Sequence, residues 1–242
     1  MMYVRRIILH STVDGPGNRV AVFLQGCNIR CAYCHNPETQ VMYQPYMADV
    51  KPMAVADIVA EIGRAMPFIR GITVSGGECM LQAEELVLLF EAVKQAYPSL
   101  TCLIDSNGTV PFRPYPRLMQ LCDGVMLDVK AWDSGAYNRL TGAANDDKVK
   151  DNLSFLLACN KLTEVRIVCL PDDAPLKVDV ENIIHNLAAE PLMVVQQIPV
   201  RLICFRPHGV VGMLSEASVP SDMQMQQYAD LCNSLELNAV TT

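Results

Sequence analysis

Strand-like and helical segments alternate along most of this chain, and this alternation limits the folds that it can adopt. Apolar, β-branched runs predict strands near residues 19–25, 71–75, 101–105, 124–128, 164–170 and 201–205. The helical spacing of apolar side chains predicts helices at 55–64, 83–96, 117–121, 148–160, 178–189 and 222–235. Strands and helices that alternate at these lengths predict an α/β fold whose parallel strands are joined by right-handed crossovers.

The length and composition of the chain fit a single domain. The sequence has 242 residues, of which 51% are hydrophobic, so it can bury one substantial core. It contains no low-complexity tract, internal repeat or shift in composition that marks a boundary. We therefore predict one domain over residues 1–242.

Three cysteines lie within a short segment, at Cys27, Cys31 and Cys34. A loop that offers thiolates at this spacing can close on one face of an iron-sulfur cube, whose irons are bound by cysteine sulfur. Three protein ligands leave one iron open, just as a catalytic zinc keeps a position for a non-protein ligand. The loop therefore indicates a cofactor site more than a structural one.

A structural zinc site is the main alternative for the same loop. Cys27, Cys31, Cys34 and His35 form a Cys3His set, which is an ordinary set of zinc ligands. Two features disfavour this site. Adjacent Cys34 and His35 cannot easily face one metal from a tight loop, and structural zinc sites usually take two ligand pairs from separate segments. A disulfide framework is less favoured still, because the chain is far longer than the small secreted domains that need one.

The remaining cysteines are isolated from one another, and most lie in apolar stretches where a thiol packs as a small hydrophobe. They are Cys79, Cys102, Cys122, Cys159, Cys169, Cys204 and Cys232. We expect them to fill the core in a reducing compartment.

Polar residues and glycines follow the predicted strands at the ends where parallel barrels carry their functional groups. The cysteine loop follows the first of these strands, Gly76, Gly77 and Glu78 follow the second, Asp105 ends the third, and Asp128 with Lys130 ends the fourth. A plain turn would explain the glycine pair alone, but two glycines also let the backbone approach a ligand closely. A buried carboxylate needs a cation or a donor, so the two aspartates are expected to have partners. We expect these loops to form one site.

With these motifs in order, the sequence resembles the radical S-adenosylmethionine (SAM) superfamily and, within it, the activating enzymes of glycyl radical enzymes. The segments that carry the resemblance are Asp14-Gly15-Pro16-Gly17-x-Arg19, Cys27-x-x-x-Cys31-x-Tyr33-Cys34-His35-Asn36-Pro37, Ser75-Gly76-Gly77-Glu78, Asp105-Ser106-Asn107-Gly108 and Leu127-Asp128-Val129-Lys130. The resemblance implies a partial (β/α)6 TIM-like barrel of parallel strands. It also implies that Cys27, Cys31 and Cys34 bind one 4Fe-4S cluster.

The resemblance assigns further residues to SAM. The implied contacts are Tyr33, Gly76, Gly77, Glu78, Asp105, Asp128, Lys130, Arg166 and His208. For Arg166, a structural ion pair is an equal alternative. His208 stands in Phe-Arg-Pro-His, where the family has Leu-Pro-Tyr-His. A monovalent cation at Asp105, Ser106, Met126 and Asp128 is a further hypothesis; the alternative is an ion pair of Asp128 with Lys130 or Arg166.

The chemistry implied by the resemblance is reductive cleavage of SAM to a 5′-deoxyadenosyl radical, which takes a hydrogen atom from a backbone glycine of a partner enzyme. We expect the segment from Asp14, Gly15, Pro16 and Gly17 to Arg19 to lie beside the cluster loop and to receive the partner's glycine loop. Residues 35–78 contain no cysteine, so the ferredoxin-like insert of many activases is missing. An external donor such as flavodoxin or ferredoxin is therefore expected. The alternatives are a radical SAM enzyme for a small molecule and a structural zinc-binding interaction module.

Charge and hydropathy exclude several other classes. A net charge of −7 with a pI near 5.1 and scattered basic residues disfavours nucleic-acid binding. No apolar run approaches the ~20 residues that span a bilayer, and the run at Ile7-Ile8-Leu9 is too short for a signal peptide. We expect a cytoplasmic monomer without a membrane partner.

Overall fold

A computed structural model describes residues 1–144 and 146–242. In these residues the strands are β1 (Met2–Ser11), β2 (Arg19–Leu24), β3 (Lys51–Met53), β4 (Gly71–Gly76), β5 (Thr101–Ser106), β6 (Gly124–Asp128), β7 (Leu162–Cys169), β8 (Pro199–Cys204) and β9 (Asn238–Thr241). The helices are α1 (Val55–Gly63), α2 (Ala83–Ala96), α3 (Pro116–Leu121), α4 (Ser134–Thr141), α5 (Asp146–Ala158), α6 (Val180–Ala188), α7 (Pro191–Val195) and α8 (Asp222–Ser234). No helix in the described residues combines the length and the apolar character that crossing a membrane requires.

The chain divides into two compact units. Unit one consists of Met1–Asn28, Glu38–Ser106 and Phe112–Met126, and unit two of Ile29–Pro37, Asn107–Pro111 and Leu127–Thr242. The boundary crosses the cysteine loop and the strand β6. A single domain over the whole chain stays a prediction.

Unit one has a sheet in the order β3-β1-β2-β4-β5, followed by the first residues of β6. Strand β2 runs parallel to β4, from the pair Arg19 and Gly71 to the pair Leu24 and Gly76, and β4 runs parallel to β5. Every residue of β2 is buried, as expected for a central strand in a parallel sheet. Because β2 and β4 are in register over six pairs, the loops that follow them begin side by side.

Unit two has the order β7-β8-β9 after the end of β6. The strands β7, β8 and β9 are parallel, and Cys169 lies opposite Cys204 at the end of the β7–β8 pair. Residues Val165 and Ile167 are fully buried on one face of β7, while Glu164 and Arg166 share the other face. The edge strands β3 and β9 each have a single neighbour, so neither sheet closes. The predicted α/β fold with an open, mostly parallel sheet is confirmed.

All six predicted strands and all six predicted helices are present, with ends that differ by a few residues. The prediction missed β1, which pairs antiparallel with both β2 and β3. Its partly exposed residues include Arg5, Arg6 and His10, which interrupt the apolar run. It also missed α4, a short helix that depends on its caps: Asp133 accepts a hydrogen bond from the Ala136 N–H, and Gly142 ends the helix in the left-handed region, at φ 66°.

Candidate cofactor site

In unit one, the start of the cysteine loop is fixed to the residues that follow β4. The backbone N–H groups of Gly77 and Glu78 donate to the carbonyl oxygens of Leu24 and Gly26, at 3.0 and 2.8 Å. The N–H of Gly26 donates to the Thr39 carbonyl oxygen at 2.9 Å. The residue before Cys27 is therefore held by two separate segments of the chain.

Gly76 and Gly77 leave the space that this contact needs. A Cβ atom on Gly76 would lie 2.2 Å from the Leu24 nitrogen, and one on Gly77 would lie 2.1 Å from the Gly26 carbonyl oxygen. Gly76 also has a φ of 120°, which only glycine adopts without strain. A bulky residue at Gly77 would therefore displace Gly26, which directly precedes Cys27.

The polar side chains at this edge of unit one bond to each other. Glu78 is 1% exposed, and its Oε1 accepts hydrogen bonds from the Met80 N–H at 3.0 Å and the Ser106 hydroxyl at 2.9 Å. Asp105 accepts a hydrogen bond from the Ser75 hydroxyl at 2.8 Å. The observed role of Glu78 is to cap the short 3-10 turn at Cys79–Gln82. Its contact with a methionyl ammonium stays a prediction, as does the cation at Asp105, Ser106, Met126 and Asp128.

In unit two, the middle of the cysteine loop is held by the end of α4. The N–H groups of Arg30 and Ala32 donate to the carbonyl oxygens of Thr141 and Leu140, at 2.7 and 2.9 Å. These carbonyls lie in the last turn of a helix, where they have no intrahelical partner. A tight turn follows, with the Cys34 N–H 3.2 Å from the Cys31 carbonyl oxygen. The helix that the sequence failed to predict thus supports this part of the loop.

The three loop cysteines are free thiols; Cys27 is buried, and Cys31 and Cys34 are half-buried. Over residues 1–144 and 146–242, no three Cys, His, Asp or Glu side chains meet closely enough for a single metal ion. Buried thiols elsewhere are poor thiolates: burial raises the pKa of Cys102 and of Cys169 to about 12 each. Three cysteines on one short loop are a donor set that fits the thiolate ligation of an iron-sulfur cluster.

Tyr33, Lys130 and Asp128 form a compact group in unit two. The Lys130 ammonium lies 2.9 Å from Asp128 Oδ2 and 5.8 Å from the centre of the Tyr33 ring. Burial opposes the charge on Lys130, but Asp128, and further Tyr33 and Cys31, outweigh it, so the pKa of Lys130 is raised. Burial also raises the pKa of Tyr33, which stays neutral. Of the two ion pairs considered for Asp128, the structure contains the one with Lys130.

Arg166 has a different partner from the one considered. Its Nε donates to Glu164 Oε1 at 2.6 Å, and Arg201 on the neighbouring strand donates to Glu164 Oε2. Arg166 and Arg201 lie directly opposite each other in the β7–β8 register. Glu164 is 3% exposed and Arg166 8%, so the carboxylate separates two cations in a poorly solvated place. Glu164 therefore joins the two guanidinium groups across the β7–β8 pair.

The end of the cysteine loop packs on the segment that contains His208. His35 Nε2 lies 2.8 Å from the Arg206 carbonyl oxygen, and the His35 ring stacks with Phe205 at 6.1 Å. A Cβ on Gly209, whose φ is 81°, would come 2.7 Å from the His35 carbonyl oxygen. His208 is exposed between these contacts. A contact of His208 with SAM stays a prediction, but the residues on either side of His208 pack against the cysteine loop.

Arg19, the last residue of the segment that begins at Asp14, lies at the opposite end of β2 from the cysteine loop. Arg19 pairs with Gly71 at the start of β4, whereas Gly76 and Gly77 are at its end. The Arg19 side chain is buried and donates to the Thr73 hydroxyl and to the carbonyl oxygens of Ile72 and Thr101. We therefore expect a structural role for Arg19. The strand separates Arg19 from Cys27, so Arg19 does not lie beside the cluster loop. Receipt of a partner loop by Asp14, Gly15, Pro16 and Gly17 stays a prediction.

Three functional neighbours were missed in the sequence: Gln25, Glu164 and Thr141. Gln25 is 3% exposed and donates to the carbonyl oxygens of Glu38 and Val41, which secures the chain after the cysteine loop. Glu164 could have been found from the sequence, because residues two apart in a strand lie on the same face and Glu164 precedes Arg166 by two. Thr141 acts through its backbone, so its side chain carried no signal.

Comparison with known proteins agrees with these observations. The family model described as a 4Fe-4S single cluster domain matches residues 13–146, more than half of the chain. A protein of Haemophilus influenzae named as a glycyl-radical enzyme activating enzyme is 36% identical over 187 residues, which cover 69% of this chain and 70% of that protein. The pyruvate formate-lyase-activating enzyme of Staphylococcus epidermidis is 38% identical over 164 residues, covering 64% and 61% of the two chains.

The fold has solved relatives as well. The crystal structure of a radical SAM methyltransferase from Sphaerobacter thermophilus superposes with a TM-score of 0.67 at 14% identity, and covers 93% of this chain and 66% of that one. At this identity the likeness shows the fold, which is the open partial barrel predicted above. Together with the family match and the curated relatives, it identifies this chain as a member of the radical SAM family, among the activating enzymes of glycyl radical enzymes.

Proposed function

We propose that this protein reductively cleaves SAM at a 4Fe-4S cluster bound by Cys27, Cys31 and Cys34, and installs a glycyl radical on a partner enzyme. The observation that carries the proposal is the support of the cysteine loop. In unit one, Leu24 and Gly26 lead into the loop and accept hydrogen bonds from the N–H groups of Gly77 and Glu78. In unit two, Tyr33 lies against Lys130 and His35 against the segment around His208. Each unit thus supports the part of the loop that it contains.

The polar residues near the loop support distinct roles in binding SAM. Backbone carbonyl oxygens at Gly76 and Gly77 are suited to the methionyl amino group, because an ammonium donates hydrogen bonds to carbonyl oxygens. Arg166 and Lys130 are cations that match a carboxylate. Tyr33 is neutral and buried, and its ring offers an apolar face for a base.

The bound cluster and SAM would together supply one electron and a carbon-centred radical, and the protein would orient them and exclude water. Lys130 would keep its proton throughout, since Asp128 holds its pKa high. Tyr33 would likewise stay protonated. These residues would therefore bind and position, without taking part in proton transfer.

The test is anaerobic reconstitution followed by three measurements. Iron and sulfide content should show one four-iron cluster, SAM and a reductant should yield 5′-deoxyadenosine, and a glycyl radical enzyme added as partner should acquire a glycyl radical signal in electron paramagnetic resonance. Cys31→Ala should lose iron and abolish 5′-deoxyadenosine formation. Cys159→Ala, which changes an exposed thiol outside the loop, is the matched control and should retain both.

Each result has a contrary outcome. A colourless protein that binds zinc would favour the structural zinc module. A loaded protein that cleaves SAM but gives no radical on any glycyl radical enzyme would favour a small-molecule substrate.

A further inference from the structure

Unit one carries a basic pocket of about 370 Å³ on the outer side of β1 and β3. It is lined by Arg5, Arg6, Glu38, Ala48, Asp49 and Lys51. This concentration of cations is unusual in a chain whose net charge is −7. The pocket lies outside the residues assigned above to the cluster or to SAM, so its charge needs another explanation.

A β-bulge in β1 builds the pocket. Val4 and Arg6 lie opposite consecutive residues of β2, Leu24 and Phe23, so Arg5 is an extra residue in the strand. In a regular strand neighbouring side chains point to opposite faces, but a bulge re-aims one of them. Arg5 and Arg6 therefore line the same pocket. The Arg6 guanidinium lies over the Phe23 ring at 5.0 Å, which fixes its position.

The acidic residues in the pocket do not neutralise it. Asp49 is 3.7 Å from Arg5, and its side chain is 79% exposed. A loose, exposed ion pair of this kind contributes little to stability, so a carboxylate from another molecule can replace Asp49 at small cost. Three cations against Glu38 and Asp49 leave one positive charge on the free surface.

The chain segment beside the pocket exposes large apolar side chains. Val41, Met42 and Tyr46 are 49%, 51% and 81% exposed. The segment is nevertheless fixed, because the Tyr43 ring stacks on Tyr3 with centroids 4.0 Å apart. An exposed apolar cluster next to charged residues is the composition of a protein docking surface. We call these three residues and Arg5, Arg6 and Lys51 the basic-apolar surface.

This surface is connected to the start of the cysteine loop. Gln25 donates to the carbonyl oxygens of Glu38 and Val41 at 2.8 and 2.6 Å, and Cys27 follows two residues later. Met42 covers Gly26, since a Cβ on that glycine would lie 3.1 Å from the Met42 sulfur. A protein bound here would therefore sit over the backbone that leads to Cys27.

We propose that the basic-apolar surface docks an acidic one-electron carrier protein that reduces the cluster. The inference rests on the proposed function and names the site of the external donor. In each encounter one electron leaves the reduced carrier, which is oxidised by one electron, and the cluster is reduced by one electron; no atom is transferred. Opposite charge on the carrier would steer association, with apolar contact at Tyr46 adding to the complex.

The test compares Arg5→Glu/Arg6→Glu/Lys51→Glu with a control of equal charge, Arg64→Glu/Lys148→Glu/Lys177→Glu, whose three residues are exposed elsewhere. Isothermal titration of the reconstituted proteins with flavodoxin from the source organism measures the Kd. The first variant should bind about tenfold more weakly or worse, with a smaller dependence on salt. The control should bind within about twofold of the unmodified protein. Tyr46→Ala, which leaves the charges and the core intact, should weaken binding about threefold.

A second measurement separates this inference from the proposed function. With dithionite as a small-molecule reductant, the charge-reversed variant should form 5′-deoxyadenosine at the normal rate, whereas with reduced flavodoxin its rate should fall about tenfold. Equal Kd values for all proteins, or equal losses in the control, would overturn the inference. Loss of glycyl radical enzyme binding with flavodoxin binding retained would overturn it too, because the surface would then belong to that partner. Failure of the unmodified protein with dithionite would refute the proposed function and leave the Kd comparison valid.

Discussion

Two buried arginines, one in each unit, differ in the groups that their guanidinium nitrogens contact. Arg19 donates to hydroxyl and carbonyl oxygens on β4 and β5, all of which are neutral. Arg166 donates to the carboxylate of Glu164, which Arg201 shares. The Arg19 bonds join strands that must stay together. Arg166 and Arg201 instead share one carboxylate on a single face of β7, and a contact of Arg166 with SAM stays a prediction.

The largest expected effect is the loss of stability when Arg19 is replaced. Arg19→Met removes the donors to Thr73, Ile72 and Thr101 at once and leaves buried acceptors unsatisfied, at ~1–3 kcal/mol for each group. We expect the free energy of unfolding in urea to fall by at least ~3 kcal/mol. Arg64→Met on the exposed end of α1 should change it by no more than ~0.5 kcal/mol. A loss for Arg19→Met as small as that of the control would show that these bonds contribute little.

A smaller effect on stability and a larger one on ligand binding are expected for Arg166→Gln. Glu164 keeps its contact with Arg201, so the carboxylate is not left alone. We expect the unfolding free energy to fall by ~1–2 kcal/mol and the SAM affinity to fall about tenfold. Equilibrium binding of SAM to the reconstituted protein measures the second quantity. Unchanged affinity would leave Arg166 with a structural role only.

A third substitution asks whether Glu164 acts through Arg166. Glu164→Gln keeps the size of the side chain but removes the charge that orients two guanidinium groups. We expect SAM affinity to fall about threefold, and we expect no further fall when Glu164→Gln is added to Arg166→Gln, since the two act as one unit. Additive losses in the double variant would mean that Glu164 affects binding by another route. Thr163→Val, on the opposite face of β7, should leave SAM affinity unchanged.

The smallest effect is a loss of stability in alkali that both units should share. Burial raises the pKa of Cys102, near Arg19, from 9.0 to about 12, and that of Cys169, on the strand of Arg166, by the same amount. A raised thiol pKa favours the folded state below pH 9, and this contribution is lost as the pH rises from 9 towards 12, because the unfolded chain ionises first. Between pH 8 and 10 the unfolding free energy of the reduced apoprotein should fall by ~1 kcal/mol for each thiol. In Cys102→Ala, the decrease in unfolding free energy between pH 8 and 10 should be smaller by ~1 kcal/mol. If the variant and the unmodified protein have the same pH profile, Cys102 does not contribute to the decrease.

The parts of this molecule that depend on local pattern were predictable from sequence. The helix α2 begins and ends at the predicted residues 83 and 96, because apolar spacing along a long helix is a strong signal. Residue type and spacing singled out the cysteine loop and the glycine pair, and the family resemblance assigned them to a cluster and to SAM. Segments whose structure depends on distant neighbours were missed. The apolar pattern of β1 is interrupted by charged residues, which line a surface pocket. Glu164 contacts Arg201, which is far away in the sequence, so this contact could not be predicted.

The position of Arg19 could not be read from sequence proximity. Arg19 precedes Cys27 by only a few residues, but it begins a six-residue strand that carries the chain along the sheet. At ~3.3 Å per residue, such a strand separates its two ends by nearly 20 Å. Residues that are close in sequence are therefore far apart in space here, because an extended strand lies between them.

The tight contact between Gly77 and the Gly26 carbonyl has a consequence for protein engineering. The turn that starts the cysteine loop and the turn after β4 occupy complementary volumes, so neither can be replaced alone without a collision. Transplanting the loop from another radical enzyme would succeed only if residues 76–78 were exchanged with it. For the same reason, mutations on one side of this contact should be tolerated mainly when the other side changes too, and laboratory evolution of new substrate ranges should begin from libraries that vary both turns together.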